Sequence, residues 1–486
     1  MTSADYMRKL TAVGLAYHSN TPAAHAIVPT MNRSDSNALE MAWLPVLPFI
    51  GTSALLGLAD IFDDVEAFRA AGVGGTDLDA LAEPTTMRLL QAVFQAAAGQ
   101  GTTATRWLRD NRRRFDLFDQ NSPFAQNGDL ARLAGEVFKP AGVLPLFNAG
   151  DGPTLLNHDH LATGTRYTPA QAARLVLARH AFGISGIQPF PAAPYGPDGR
   201  NGKAAVCGPR PYLWVDTGSL AGSLAASTVP GRQGNFLFSW PAGATPGATR
   251  AVSGQLDALT WPSRSIALRP DPDGLIGAVA VGNGLVFGDE TDPTLLPHTV
   301  FRAGKKPGDP VTAVRATFTG SASRRLLGAW VDPGRSGLLA HLAGLPADIR
   351  AGWTLRWQGL ATFQSRIDGV LDVAMPVPTA PDPEIQAFLE GSGNAYKAAY
   401  SVVGTAIRAT RVLGVDDEFN RCKQAVNAAM DNEMEHIGPA VAVGALTAAE
   451  GVERLHAAVG SAAATAAPRF TAQRSVRSLL ALEGTR

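Results

Sequence analysis

The stretch Met375-Pro376-Val377-Pro378-Thr379-Ala380-Pro381-Asp382-Pro383 separates two kinds of sequence. Its four prolines remove backbone donors and fix φ, so no helix and no central strand runs through it. Downstream the composition turns alanine-rich, and apolar residues recur at helical spacing. Phe388, Tyr396, Tyr400, Val403, Ile407 and Val412 mark one long helix, and Phe419, Cys422, Val426, Met430, Met434 and Ile437 a second. Leu446–Ala464 and Phe470–Leu482 supply two more. Four amphipathic helices with short connections predict a C-terminal four-helix bundle over 381–486.

Upstream, 37–380 reads as one large mixed domain, which makes the chain α+β with an antiparallel sheet and long loops. Leu55, Leu58, Ile61, Phe62, Val65 and Phe68, then Leu89, Leu90, Val93 and Phe94, predict two helices. From Pro140 to Gly254 clusters of Gly, Pro, Asn and Ser predict loops, broken by a helix over Pro169–Phe182 with Thr168 as its cap. Such loops are either binding elements or plain surface linkers. Between Leu256 and Trp357 the β-prone runs Ser265–Leu268, Gly277–Val281, Gly284–Phe287 and Val311–Phe318 alternate with turn signals and predict the antiparallel sheet. Residues 1–36 read as a loosely structured polar extension, and no internal repeat is evident.

A chain of 486 residues exceeds what one hydrophobic core usually holds, so at least two domains are expected. With 45% apolar and 17% charged residues it is globular rather than disordered. Lys plus Arg equals Asp plus Glu at 42 each, so no global basic field drives nucleic-acid binding and any such binding needs local patches or partners. Cys207 and Cys422 are too few for a disulfide framework or a four-thiolate zinc site, which fits a reducing, cytoplasmic setting. Met41–Ala59 carries no formal charge, but Pro45, Pro48 and Gly51 interrupt it, so a strand, a turn and a helix start are expected there and no membrane association.

Catalytic constellations are sparse. Asn157-His158-Asp159-His160 can supply part of a metal site or form a solvated loop, and no second His/Asp cluster accompanies it. Gly183-Ile184-Ser185-Gly186-Ile187 lacks the spacing of a nucleophile elbow, and Gly282-Asn283-Gly284 reads as a β-turn rather than a phosphate cradle. No cofactor is implied. Local charge is more informative: Arg106, Arg109, Arg112, Arg113 and Arg114 crowd one stretch, Lys305-Lys306 sits in a turn, and Arg469, Arg474, Arg477 and Arg486 lie near the end. Each run either meets phosphate or forms a solvated face.

Several weak motifs then fall in an order that resembles the CasA family, the large subunit of the type I-E CRISPR Cascade complex. Trp43-Leu44-Pro45-Val46 is similar to the family's opening strand. Phe115-Asp116-Leu117-Phe118-Asp119 leads into Ser122-Pro123-Phe124-Ala125-Gln126, which resembles its Pro-Phe-x-Gln motif and is the most specific match. Thr154–His158 resembles an Asn-containing loop, and Gly199-Arg200-Asn201-Gly202-Lys203 a glycine-rich loop carrying a lysine. Leu259-Thr260-Trp261 with Arg264 resembles a Thr-Trp…Arg strand, and Pro297-His298 followed by Lys305-Lys306-Pro307-Gly308 a Pro-His…Lys-Lys-x-Gly segment. Gly359–Ile367 is similar to the family's hairpin with a central Gln.

The resemblance implies a non-catalytic subunit of an RNA-guided surveillance complex. Such a subunit contacts the protospacer-adjacent motif in duplex DNA, helps open the target and recruits a helicase-nuclease. Its partners would be the other Cascade subunits, the guide RNA, target duplex and displaced strand. By the same resemblance Leu156, Asn157, Gly199, Asn201, Gly202 and Lys203 recognise the motif. Phe363, Gln364 and Ser365 form a strand-separating wedge, and Lys305, Lys306, Arg474 and Arg477 meet the DNA backbone. Neutral net charge is compatible with this role, since guide pairing carries most of the specificity. The rival readings are a metal-dependent hydrolase using His158 and His160, and a helical-bundle scaffold without DNA contact.

Overall fold

The computed structural model describes residues 37–466 apart from 75–80, 134, 147–163, 189, 192–194, 289–291, 305, 307–308, 316–320, 333, 336, 364–365 and 410–414. The chain forms two compact units. The first takes in Met1–Val300, Ser336–His341 and Arg356–Asp372, and the second Phe301–Arg335, Leu342–Leu355 and Val373–Arg486.

The first unit opens with a hairpin of β1 (Leu44–Val46) and β2 (Ala54–Leu56), antiparallel in the register Leu44↔Leu56. Trp43 is fully buried beside it and donates to the Ala38 carbonyl at 2.7 Å. Helix α1 (Leu58–Asp63) follows directly, so the apolar stretch Met41–Ala59 is the expected strand, turn and helix start. Helix α2 (Ala82–Gly99) is buried along nearly its whole length. Among its polar members Arg88 is bonded internally, donating to Cys207 Sγ and to the Ala258 and Leu259 carbonyls. Helix α3 (Ala104–Asp110) is capped by Thr103, whose hydroxyl accepts from the Arg106 amide.

Helix α4 (Pro169–Phe182) has the predicted bounds. Thr168 and Gln171 form a reciprocal capping box, and Pro169 occupies the first turn, where its missing N–H costs nothing. A short ladder joins β3 (Gly186–Ile187) to β4 (Asn201–Gly202). Strand β5 (Tyr212–Asp216) follows, and later the short helix α5 (Gln255–Leu259). The hairpin of β6 (Arg264–Pro270) and β7 (Ile276–Asn283) pairs Arg264↔Asn283 and Ile266↔Val281. Both its faces are covered. Ile266, Leu268, Val279 and Val281 pack with Ala172, Leu175 and Val176 of α4, while Ala267 and Ala280 face Leu130, Val137 and Phe190. Strands buried on both faces read as continuous apolar runs, which is why these two were legible. Finally β8 (Thr354–Phe363) lies between β9 (Arg366–Pro376) and β5 in a three-stranded sheet.

The expected antiparallel sheet over 256–357 holds for β6 and β7 alone on that scale. Val286–Phe287 pairs in parallel with Thr249–Arg250, and Thr312–Ala313 forms a two-residue ladder with Phe301–Arg302. From Ala322 to Arg350 the regular elements among the described residues are helices. In the second unit α6 (Ala322–Val331) starts at Ser321, which caps the Arg324 amide, and buries Leu326, Leu327 and Trp330, a helical rather than alternating spacing. Three long helices follow: α7 (Asp382–Ala409), α8 (Val415–Ala442) and α9 (Ala448–Ala466). They pack on one another, and α6 packs on α7 and α8. Thus the fourth helix on this assembly, among the described residues, comes from well before the proline-rich stretch. The segment Phe470–Leu482 lies outside the described residues.

Glu435 of α8 ties α6 in place. Its carboxylate accepts from the Ser321 and Ser323 hydroxyls, each at 2.6 Å, and from the Ser323 amide, satisfying donors at the start of the helix.

Candidate nucleic-acid interface

The loop from Tyr195 to Lys203 is held on the end of the β6–β7 hairpin. Arg264, 1% exposed, donates from Nη1 to the Lys203 carbonyl at 2.7 Å and from Nη2 to the Ile184 carbonyl at 2.5 Å. Its register partner Asn283 grips both ends of the loop. The amide Nδ2 donates to the Asp198 carbonyl at 2.8 Å, and Oδ1 accepts from the Lys203 amide at 3.2 Å. Burial, with Arg179 adding to it, lowers the Arg264 guanidinium to about 9, so it stays charged at neutral pH while bonded only to carbonyls.

Two glycines of this loop turn inward. A Cβ at Gly199 would lie 2.7 Å from Tyr195 Cβ, and one at Gly202 would lie 2.5 Å from Gln188 Nε2. Gly199 and Gly202 are buried, whereas Asn201 and Lys203 are exposed. Close packing below and a donor–acceptor amide plus a cation above follow from the same alternation.

The β8–β9 hairpin is braced at its root by a second polar cluster. Glu83, from the first turn of α2, accepts from Arg356 at 2.8 Å and from Gln358. Gln358 also donates to Asp372 of β9 at 3.1 Å and accepts from Trp214 Nε1 of β5 at 2.8 Å. Arg356 lies 5.8 Å from the Trp214 ring. These bonds fix the direction of two strands whose near ends are Phe363 and Arg366.

The residues expected from sequence divide accordingly. Gly199, Asn201, Gly202 and Lys203 come together on the clamped loop. Phe363 ends β8, and Gln364 and Ser365 lie outside the described residues, as do Leu156, Asn157, His158, His160, Lys305, Arg474 and Arg477. Lys306 is exposed, and its amide donates to Asp309 Oδ2. Of the arginine run, Arg106, Arg109 and Arg112 meet Asp110, Asp63 and Glu40, while Arg114 lies 3.8 Å over the Phe238 ring. Among the described residues no group of His, Cys, Asp and Glu is arranged to hold a metal, and no helix is long and apolar enough to cross a membrane.

Several motif residues prove to be framework. Gln126 is buried, donates to the Leu117 carbonyl and accepts from the Leu268 amide, both at 2.8 Å, and so bolts the Pro-Phe-x-Gln segment to β6. His298 is buried with Nδ1 3.0 Å from the Leu213 carbonyl. Leu259-Thr260-Trp261 is not a strand: α5 ends at Leu259, and the Thr260 hydroxyl donates back to the Leu256 carbonyl. Nor is Gly282-Asn283-Gly284 a hairpin turn. Gly282 and Asn283 end β7, and a Cβ at Gly284 would fall 1.9 Å from the Ser263 carbonyl carbon. Arg264 and Asn283 are thus the positioning residues that sequence reasoning missed, although an arginine opening an otherwise apolar strand is the signal that marks one of them.

The model for the CRISPR-associated protein Cse1 family matches residues 37–467. The CRISPR-associated protein CasA/Cse1 of Thermus thermophilus is 30% identical over 177 residues, 35% of this chain and 34% of that protein, so the matched stretch spans about a third of the relative's length. The fold is similar to a crystal structure of Thermus thermophilus CasA, with a TM-score of 0.72 at 19% identity over 93% of this chain and 98% of the other. It is also similar to a chain of a CRISPR RNA-guided surveillance complex, with a TM-score of 0.67 at 17% identity over 92% and 98%.

Proposed function

The chain belongs to the CRISPR-associated Cse1 family, and from that premise we propose that it is the large, non-catalytic subunit of an RNA-guided surveillance complex. In this reading it recognises the protospacer-adjacent motif in duplex DNA, helps open the target and recruits the helicase-nuclease. The observation that carries the proposal is the clamped loop, with Asn201 and Lys203 exposed above buried Arg264 and Asn283. An amide that donates and accepts, beside one cation on a rigid support, suits degenerate reading of groove acceptors and phosphate contact. Asn157 belongs to the same proposed reader.

The β8–β9 hairpin, braced at Glu83, is the proposed wedge. Parting stacked bases costs a few kcal/mol, and an aromatic or amide group that replaces lost contacts lowers the barrier to seed pairing. Phe363, Gln364 and Ser365 supply those groups. Lys305, Lys306, Arg474 and Arg477 act through phosphate, giving affinity that is salt-sensitive and blind to sequence. The other Cascade subunits and the guide RNA complete the channel.

One experiment tests both parts. Complexes assembled with each variant are measured on intact duplex and on a target pre-melted beside the motif. Lys203→Ala should weaken motif-dependent binding of the intact duplex, with a salt slope reduced by about one. The double substitution of Phe363 and Gln364 by Ala should slow opening of the intact duplex far more than of the pre-melted target. Unchanged affinity of Lys203→Ala across the salt series would remove the loop from the reader. Equal slowing on both substrates would remove the wedge.

A further inference from the structure

Segment Asn235–Trp240 runs through the first unit as an extended span fixed from both sides. The Asn235 amide donates to Asp257 Oδ1 at 2.6 Å and the Leu237 amide to Thr260 Oγ1 at 2.9 Å. From the opposite side Ala125 N–H donates to the Phe238 carbonyl at 2.7 Å, and Trp240 N–H to the Gln126 carbonyl at 2.9 Å. Two of the motifs that resemble the family, Leu259-Thr260-Trp261 and Pro123-Phe124-Ala125-Gln126, therefore hold one span. Phe238 is buried, stacked on Trp107 at 5.5 Å, and Phe236 is half-buried, with its ring 4.4 Å from that of Phe238.

Phe236 stands between two open cavities of about 460 and 510 Å³, and it lines both. Arg114 and Arg250 line both as well. Neither guanidinium has an ion-pair partner among the described residues, and Arg250 Nη1 has no hydrogen-bond partner there. Arg106, Arg109 and Arg112 meet carboxylates, and Arg132 meets Asp129, the acid of the second cavity. Exposed side-chain amides complete the lining, Asn235 on one side and Asn121 on the other.

We propose that Phe236, Arg114 and Arg250 form a binding site for single-stranded nucleic acid, with the Phe236 ring as a stacking surface and the two guanidiniums as phosphate partners. A part-exposed aromatic on a fixed backbone offers a face to an unpaired base, and duplex bases have no free face to offer in return. Each cavity falls in the range of roughly 300 to 1,000 Å³ that small ligands occupy, enough for one nucleotide. Two cations without ion-pair partners among the described residues draw a polyanion, and the exposed amides serve any base edge. The site rests on the nucleic-acid reading above and adds to it a single-strand contact distinct from the Gly199–Lys203 loop. The same chemistry serves a displaced DNA strand or an exposed end of guide RNA.

The test titrates the purified full chain with fluorescent dT12 and U12 over a salt series. Phe236→Ala and Phe236→Leu should each weaken binding about tenfold, within the range measured for loss of one stacked base, whereas Phe236→Trp should bind at least as well as the unsubstituted chain. Arg114→Gln should flatten the log–log salt dependence by about 0.7. Preference for dT12 assigns the site to displaced DNA and preference for U12 to RNA. Leu fills most of the volume of the ring, so loss in Leu with retention in Trp reports stacking rather than packing. Failure of both oligonucleotides to bind at low salt would overturn the proposal, as would equal affinity of the Ala, Leu and Trp variants. Motif-duplex binding by complexes assembled from the same variants should be unchanged. A loss there with oligonucleotide binding intact would count against the loop reading instead.

Discussion

Asn283→Ala tests whether the Gly199–Lys203 loop works because it is held rigid. Asn283 is 2% exposed, and its amide makes one bond to the Asp198 carbonyl and one to the Lys203 amide. A third, at 2.9 Å, accepts from the Gly284 amide and stays within the β7 end. Alanine removes both loop bonds and leaves the Arg264 contact to the Lys203 carbonyl. At about 1 kcal/mol for each neutral bond, the closed loop loses about 2 kcal/mol relative to opened forms, roughly thirtyfold in that equilibrium. Apparent affinity falls with the fraction of molecules in the competent form, so motif-duplex binding should weaken by up to about thirtyfold although Lys203 itself is untouched. Hydrogen exchange at the Lys203 amide should quicken in parallel. Asn283→Asp, which keeps the acceptor and loses the donor, should fall between. The reasoning is refuted if the Lys203 amide is freed and motif affinity does not change, because the loop would then be clamped for some purpose other than reading DNA.

Two further outcomes are expected. Burial holds His180 near 4 and His298 near 3 against an ordinary 6.5, so both are neutral in the fold. The unfolded chain takes up protons below pH 6.5 that the folded chain refuses, so stability is full above pH 6.5 and falls as pH drops toward 4, by about 1.4 kcal/mol per pH unit for each histidine. Urea denaturation at pH 7, 6 and 5 should show this slope, and replacing both histidines with Gln should flatten it; an equally steep curve would place the dependence elsewhere. Glu435→Ala leaves the Ser321 and Ser323 hydroxyls and the Ser323 amide without their acceptor, which should destabilise the second unit by about 2 to 4 kcal/mol. Thermal unfolding followed by Trp330 fluorescence checks it, with Glu435→Gln expected to recover part of the loss and a change under about 0.5 kcal/mol counting against the cap.

Legibility in the sequence followed the range of the interaction. Helix α4 was readable to the residue because its determinants are local: Thr168, Pro169 and Gln171 lie within one turn. Strands β6 and β7 were readable because both faces are buried and the apolar run is continuous. Helix α6 was missed because Ser321 and Ser323 owe their role to Glu435, more than a hundred residues away, and no local pattern announces that partner. The same holds at the site. Lys203 was visible as a cation in a glycine-rich loop, but Asn283 read as a turn residue until the register Arg264↔Asn283 set it beneath Asp198 and Lys203.

This difference bears on how the family's motifs are to be understood. The most specific of them ends in Gln126, and Gln126 is 3% exposed, with its side chain spent on the Leu117 carbonyl and the Leu268 amide. Such a residue cannot contact DNA without first losing two buried bonds, roughly 2 kcal/mol or more. Thr260 and Arg264 are likewise committed to backbone partners. Yet each of the three lies under an accessible group: the Gln126 carbonyl and the Thr260 hydroxyl hold the span that carries half-buried Phe236, and Arg264 holds the loop that carries exposed Lys203. A framework residue tolerates few substitutes, because its bonds have one geometry. A contact residue on the surface tolerates several, because phosphate and groove acceptors accept many donors. A recognisable signature should therefore mark the support of a nucleic-acid surface more strongly than the surface itself. In this chain Gln126, Thr260 and Arg264 lie beneath the groups proposed to touch nucleic acid rather than among them.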